Sequence, residues 1–205
     1  MILVGMTGGS GSGKSTVAEE MKRRNIPVID CDQLYHSLIS GASPCTEALI
    51  ARFGQKIKNE SGGIDRTVLS HIVFEQSEEG RRALADLNAI THRHVTDALM
   101  QQLAALKAEG TRVAVLDAPT LIESGIHQRC DFVIAVHADK EDCLARIMAR
   151  DGLSHEDAAM RIASQKPLSY YAEYADYIIE NKGSERQLLL EVDRVLSSIL
   201  REVKL

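Results

Sequence analysis

The chain has 205 residues, of which 44% are hydrophobic and 26% are charged. This length accommodates one hydrophobic core with an attached subdomain. The formal net charge of −5 argues against a broad basic surface for nucleic acid, so an anionic ligand must be bound by local groups of lysine and arginine.

The chain shows no signs of secretion or membrane insertion. Its four cysteines form no C-x-x-C pair, which argues against a zinc or redox motif and is typical of a reducing compartment. The first residues, MILVGMTGG, lack a basic region and a cleavage pattern, and no apolar run approaches the roughly 18 residues of a membrane span. We expect a cytoplasmic protein without membrane or nucleic-acid partners, with a monomer as the default assembly.

Short apolar runs alternate with segments of helical period. The predicted strands cover residues 2–6, 27–30, 112–117, 131–136 and 176–181. Between the first two strands, Val17, Ala18 and Met21 have helical spacing over residues 14–24. This alternation predicts an α/β fold with a parallel five-stranded sheet flanked by helices.

The spacing of the strands predicts two helical excursions from this core. About 80 residues separate the second and third strands, far more than one crossover helix needs. We expect a single domain whose core comprises about residues 1–32, 111–142 and 174–205. A helical insertion covers about residues 33–110, and a second helical segment, dense in charged residues, covers about residues 143–173.

A phosphate-binding motif follows the first strand and opens the first helix. The stretch GGSGSGKST, residues 8–16, matches G-x-x-x-x-G-K-[ST] in the strand–loop–helix context that the motif requires. Backbone N–H groups and the helix N-terminus attract phosphate, Lys14 reaches the β- and γ-phosphates, and the Ser15 hydroxyl is a ligand for Mg²⁺. The predicted ATP-binding residues of this motif are Gly9, Ser10, Gly11, Ser12, Gly13, Lys14, Ser15 and Thr16.

The motif predicts nucleoside triphosphate binding without defining the reaction. A guanine switch is disfavoured, because DAPT (117–120) lacks the glycine of D-x-x-G and NKGS (181–184) lacks the base-reading aspartate. An ATP-driven motor would need a larger chain or an oligomerisation surface. A small P-loop protein with two helical excursions favours a kinase of small molecules, one excursion binding the acceptor and the other closing over the phosphates.

Two carboxylates follow the second strand in VIDCD, residues 28–32. Ligands of open parallel sheets bind outside the carboxyl ends of the strands, where the phosphate-binding loop also lies. Asp32 is the candidate general base for an acceptor hydroxyl. Asp30 is the candidate cap of a helix that begins near residue 33. The alternative is that both are caps or solvated turn residues.

Three further charged residues follow strands three and four. Asp117 has the position of a carboxylate that holds Mg²⁺, although a turn residue before Pro119 is an equal alternative. Arg146 and Arg150 lie four residues apart and share a helical face, so they could clamp a transferring phosphoryl group, or they could form a solvated ion-paired surface. Arg161 and Lys166 are weaker candidates for the same role.

The histidines and tyrosines predict no separate site. His92 and His94 are two residues apart and would not share a helical face, so they are not expected to bind a metal as a pair. The three tyrosines near residue 172 are typical of local packing.

The ordered series of motifs resembles the dephospho-coenzyme A kinase family over nearly the whole chain. The resemblance is carried by VGMTGGSGSGKSTVA, VIDCD, GGIDRTVL (62–69), DAPTLIESG (117–125), RIMARDGLSHEDAAMRIASQ (146–165) and ADYIIENKGS (175–184). Arg93, Thr120 and Ile122 depart from the residues that are usual there.

The resemblance implies ATP-dependent phosphorylation of the ribose 3′-hydroxyl of dephospho-CoA with Mg²⁺, giving coenzyme A in the last step of its biosynthesis. It further implies a helical lid at about residues 143–173 and an acceptor-binding insertion at about 33–110. The implied catalytic residues are Asp32, Lys14 and Arg146, and the implied ATP contacts beyond the loop are Arg150 and Asn181. The implied acceptor contacts are Asp32, Asp65, Arg66 and His92, and the metal contacts are Ser15 and Asp117.

Two alternatives remain open at this stage. A kinase of the same architecture could act on a nucleoside or another hydroxyl metabolite, which acceptor specificity would reveal. A non-catalytic ATP-binding regulator would tolerate Asp32→Asn, since binding alone needs no base.

Overall fold

The computed structural model describes residues 1–203 as an alternation of strands and helices. The strands are β1 (Ile2–Thr7), β2 (Val28–Asp30), β3 (Val113–Asp117), β4 (Phe132–His137) and β5 (Tyr177–Glu180). The helices are α1 (Lys14–Arg23), α2 (Cys31–Ile39), α3 (Pro44–Phe53), α4 (Arg66–Val73), α5 (Glu78–Ala108), α6 (Lys140–Asp151), α7 (His155–Ala163), α8 (Leu168–Ala172) and α9 (Glu185–Glu202). Short 3-10 turns cover Gln55–Ile57 and Ile126–Arg129.

The five strands form one parallel sheet in the order β2-β3-β1-β4-β5, with helices on its faces. Strand β1 is central, pairing in parallel with β3 and β4, and β4 pairs in parallel with β5. All six residues of β1 are buried, as expected for a strand covered by helices on both faces. The predicted fold class is therefore confirmed, with each of the five predicted strands present.

The chain divides into two compact units. The first comprises Met1–Ile29 together with the segment from Gly110 to the C-terminus, and the second comprises Asp30–Glu109. The boundaries proposed for the core, the insertion and the lid remain a prediction.

The main core of the first unit lies between the sheet and two helices. One face of β1 presents Val4 and Met6, both fully buried. They belong to a cluster with buried residues of α1 and α9, which include Val17, Met21, Val192, Val195 and Ile199. The large apolar area removed from water here anchors the start of α1, which begins directly after the phosphate-binding motif.

The second unit is an all-helical cluster around the long helix α5, which packs against α2, α3 and α4. Its core is centred on fully buried Leu49 and Ile57. The 31 residues of α5 span about 46 Å at the usual helical rise.

Side-chain caps fix where the helices of the second unit begin. Asp30 caps α2 by accepting from the Gln33 N–H, and Asp65 caps α4 by accepting from two N–H groups. Ser43 and Ser77 cap α3 and α5 in the same way. The predicted capping role of Asp30 is confirmed, although α2 begins at Cys31, two residues earlier than expected, because the cap lies directly at the strand end.

Among residues 1–203, no helix combines the length and apolar character needed to cross a membrane.

Candidate active site

The phosphate-binding loop connects β1 to α1 and leaves the helix N-terminus open. Gly13 precedes α1 with φ of 95°, a left-handed conformation that glycine adopts without strain, and it provides no side-chain cap. The first backbone bond of the helix runs from the Val17 N–H to the Gly13 carbonyl. The N–H groups of the first turn therefore have no helical acceptor, and together with the helix dipole they favour an anion.

Lys14 and Asp117 form an ion pair beside this loop. Asp117 ends β3, where its Cα is paired with that of Met6 in β1, and the Lys14 ammonium donates to its Oδ1. Both side chains are largely buried, with exposures of 17% for Lys14 and 10% for Asp117. Ser15 follows Lys14 and is exposed. The ion pair thus holds the lysine of the motif next to the carboxylate predicted for Mg²⁺.

The two arginines of α6 reach adjacent residues of the loop. Arg146 Nη1 donates to the Gly11 carbonyl at 3.0 Å, and Arg150 Nη2 donates to Ser10 Oγ at 3.3 Å. Both lie on one face of α6, as their spacing predicts. Lys14 and both arginines each also have an acidic partner, which is Asp117 for Lys14, Asp142 for Arg146 and Asp151 for Arg150.

Asn181 supports the same loop from the end of β5. Its Nδ2 donates to the Ser12 carbonyl at 2.9 Å, and its backbone N–H donates to the His137 carbonyl at 2.7 Å. Only 6% of the residue is exposed. A Cβ atom on Gly13 would collide with the Asn181 amide, so the two residues fit closely. Asn181 therefore contributes to the shape of the loop itself, a role that the sequence did not indicate.

Asp151 links α6 to α7 through two arginines. Its carboxylate accepts two bonds from Arg150, at 2.7 and 2.9 Å, and one from Arg161. The bond from Arg150 is the largest cause lowering the Asp151 pKa from 3.8 to about 2. Lys166, in contrast, lies over the ring of Tyr170, 5.2 Å from its centroid.

We predict that the Asp151 carboxyl stays ionised down to about pH 3. Because its pKa is lowered on folding, its ion pairs contribute fully above the unfolded pKa and are lost as pH falls toward 2. A carboxyl carbon NMR titration of the folded protein measures this. Arg150→Ala should raise the midpoint toward the ordinary value, whereas an ordinary midpoint in the unsubstituted protein would contradict the prediction.

A cavity of about 180 Å³ opens beside the loop in the first unit. Loop residues Gly9, Ser10 and Ser12 line one side, and Gln165 and Leu168 line another. The buried Ser12 hydroxyl has no hydrogen-bond partner among residues 1–203. A buried hydroxyl of this kind can bond a ligand that enters the cavity.

The remaining predicted residues lie in the second unit. Asp32 is the second residue of α2 and is exposed, and His92 is exposed on α5. Asp65 Oδ1 accepts from two backbone N–H groups at the start of α4, so this carboxylate has a structural role as a helix cap. Arg66 begins α4 and lines a groove of about 500 Å³ together with Tyr35. Burial raises the Tyr35 pKa, and the nearby Arg66 charge partly opposes that effect.

The candidate oxygen ligands for Mg²⁺ are the Ser15 hydroxyl and the Asp117 carboxylate. No cluster of three or more histidine, cysteine, aspartate or glutamate side chains occurs in the described part of the chain. The Ser15 hydroxyl and the Asp117 carboxylate are hard oxygen donors of the type that Mg²⁺ prefers, and Mg²⁺ usually takes its other ligands from water and phosphate. The residues present therefore fit a magnesium–nucleotide complex.

Sequence reasoning missed two residues, Gln165, which contacts the loop, and Asp151 at the end of α6. Gln165 accepts a bond from the Ser10 N–H, and it carries neither charge nor metal-binding chemistry that would mark it in a sequence. Asp151 follows Arg150 directly, a pattern also typical of solvated surfaces.

Comparison with known proteins places these features in one family. The family model for dephospho-CoA kinase matches residues 2–187. A dephospho-CoA kinase of Corynebacterium efficiens is 34% identical over 204 residues, covering 100% of both chains.

Solved structures agree. A protein from Thermus thermophilus is 32% identical with a TM-score of 0.79, covering 98% of this chain and 97% of that one. Dephospho-CoA kinase from Campylobacter jejuni is 28% identical with a TM-score of 0.71, covering 98% of each chain. With the phosphate-binding loop, its arginines and the five-stranded sheet already in place, the chain belongs to the dephospho-CoA kinase family and is a kinase of that family.

Proposed function

We propose that this protein transfers the γ-phosphoryl group of ATP to the ribose 3′-hydroxyl of dephospho-CoA, giving coenzyme A, the final step of coenzyme A biosynthesis. The observation that carries the proposal is that Arg146 and Arg150 of α6 both donate to the phosphate-binding loop, whose motif also contains Lys14. Phosphoryl transfer depends mainly on positioning and on stabilising charge at the phosphoryl oxygens, which these three cations can supply.

In this proposal, ATP lies on the loop formed by residues 9–16, with Arg150 and Asn181 as further contacts. Lys14 and Arg146 stabilise the transferring phosphoryl group as charge develops on its oxygens. For this, Lys14 must redirect its ammonium from Asp117 to the phosphates, a short movement of a flexible side chain.

Ser15 and Asp117 would hold the Mg²⁺ of the nucleotide. When bound, the metal neutralises charge on the phosphate oxygens. The departure of Lys14 would break its bond to Asp117 Oδ1, so one rearrangement would serve both groups.

Asp32 is the proposed general base. It accepts the proton of the acceptor hydroxyl while that oxygen bonds to phosphorus and the bond to the ADP oxygen breaks. Its position directly after a strand end of a parallel sheet, where such folds bind ligands, supports this role. Asp65, Arg66 and His92 are proposed acceptor contacts, and the groove beside Arg66 supports this for the insertion at about residues 33–110.

We further propose a cytoplasmic monomer that acts on these two substrates without nucleic acid. The lack of a C-x-x-C pair among the four cysteines supports a reducing location, and the acidic net charge disfavours a nucleic-acid partner.

The test compares acceptors at fixed Mg-ATP. ADP release should require dephospho-CoA and should remain at background with adenosine or another hydroxyl metabolite. Comparable rates with a nucleoside would replace the proposed acceptor, whereas ATP binding without any acceptor-dependent ADP would indicate a regulator.

A further inference from the structure

Three side chains from the segment after β4 bond to the tip of the phosphate-binding loop, residues 9–11. Two are the arginines of α6, which bond to Ser10 and Gly11. The third is Gln165, whose Oε1 accepts the Ser10 backbone N–H at 2.9 Å. Of the three, only Gln165 contacts a backbone N–H group of the loop. Its amide is neutral, so it does not form ion pairs with the neighbouring arginines.

Gly9 makes room for this contact. Its φ does not lie in the left-handed region, unlike those of Gly8, Gly11 and Gly13, so its backbone would accept other residues. Position 9 is also unrestricted in the motif G-x-x-x-x-G-K-[ST]. A Cβ atom there, however, would lie 2.3 Å from Gln165 Oε1, so the end of this flexible side chain would have to move away from the Ser10 N–H. A side chain at position 9 would therefore compete with the Gln165 contact.

The backbone around Gln165 is fixed by α7. The Gln165 N–H donates to the Ile162 carbonyl, and the Ser164 N–H donates to the Met160 carbonyl, so the residue extends the end of the helix. Arg161 on the same helix bonds to Asp151, which in turn bonds to Arg150. A single connected group therefore joins Gln165 to the arginine that contacts Ser10.

We propose that Gln165 is a positioning residue that holds the segment carrying Arg146 and Arg150 against the tip of the loop, through a contact that a side chain at position 9 would displace. The inference rests on the proposed function, since it concerns how those arginines are held for phosphoryl transfer. It assigns Gln165 no contact with the reacting atoms.

A double-mutant cycle tests this pairing, with Gly9→Ala, Gln165→Ala and the double variant. Loss of one neutral hydrogen bond should make Gln165→Ala lower kcat by about five- to tenfold. Gly9→Ala should lower kcat by a similar or larger factor, because the methyl group displaces Gln165 Oε1. In the Gln165→Ala background, Gly9→Ala should cost no further activity, since the atom it collides with is gone.

Two controls keep the result specific. Ser164→Ala changes an exposed neighbour whose hydroxyl donates to the Arg161 carbonyl of the preceding helix, and it should leave kcat within about twofold. Gln165→Glu retains an acceptor for the Ser10 N–H. It should therefore recover part of the kcat that Gln165→Ala loses, whereas no recovery would count against the hydrogen bond.

Independent, multiplying effects of the two alanine substitutions would overturn the inference while leaving the kinase function intact. If the unsubstituted protein released no acceptor-dependent ADP, the proposed function would fail first. The same cycle would then be measured on the Kd for Mg-ATP, where coupling supports the Gly9–Gln165 pairing and additivity rejects it.

Discussion

Replacing Asp32 with asparagine is expected to lower the rate of phosphoryl transfer by about a thousandfold, the range that a general base contributes. The amide keeps the size and position of the side chain but cannot accept the proton of the acceptor hydroxyl. Mg-ATP binding should change little, because Asp32 has no proposed role in holding the nucleotide. Single-turnover ADP formation and equilibrium nucleotide binding measure the two effects separately.

Asp30→Asn is the matched control, because it makes the same chemical change two residues earlier. Asparagine is as good a helix cap as aspartate, so α2 should keep its start and activity should stay within a few-fold. A near-normal rate of phosphoryl transfer in Asp32→Asn would show that Asp32 is not the general base. A large loss in both variants would instead indicate that the start of α2, and no single carboxylate, supports activity.

Replacing Arg146 with alanine is expected to lower kcat by about a thousandfold, the lower end of the range for an arginine that stabilises phosphoryl transfer. KM for ATP should change much less, since Lys14, Arg150 and the loop backbone still bind the ground state. Steady-state kinetics at saturating dephospho-CoA measure the split between kcat and KM. Arg146→Lys should recover only part of the loss, because an ammonium cannot reproduce the fork of the guanidinium.

Arg194→Ala provides the control for loss of a guanidinium. Arg194 is exposed on α9 and pairs with Glu191 in the same helix, a kind of pair that adds little to stability. Its substitution should leave kcat unchanged. If both substitutions changed kcat equally and only slightly, Arg146 would have no role in phosphoryl transfer. It would then belong to a solvated, ion-paired helix surface, which is the alternative that the sequence alone allows.

The fold followed from sequence wherever a local pattern decides the structure. Five short apolar runs became five strands, and the phosphate-binding motif lies between the first strand and α1 as its context requires. Asp30 was predictable as a cap because a carboxylate at a helix start has a local reason to be there.

The detailed contacts could not be predicted, because they join residues far apart in the chain. The bond from Lys14 to Asp117 depends on the pairing of β1 with β3, and the bond from Asn181 to Ser12 spans 169 positions. Gln165 and Asp151 are polar residues of ordinary helical sequence, and only the position of the loop gives them a role. Asp32 and Arg146 were selected for their chemistry, and their roles await the substitutions described above.

The most direct measurement of the central claim is the product formed from Mg-ATP and dephospho-CoA by the unsubstituted protein. The proposal predicts ADP release only in the presence of dephospho-CoA, and a product heavier by one phosphoryl group with a new ribose 3′-phosphate in its phosphorus NMR spectrum. Unchanged dephospho-CoA, or ADP release that does not depend on it, would contradict the assigned reaction.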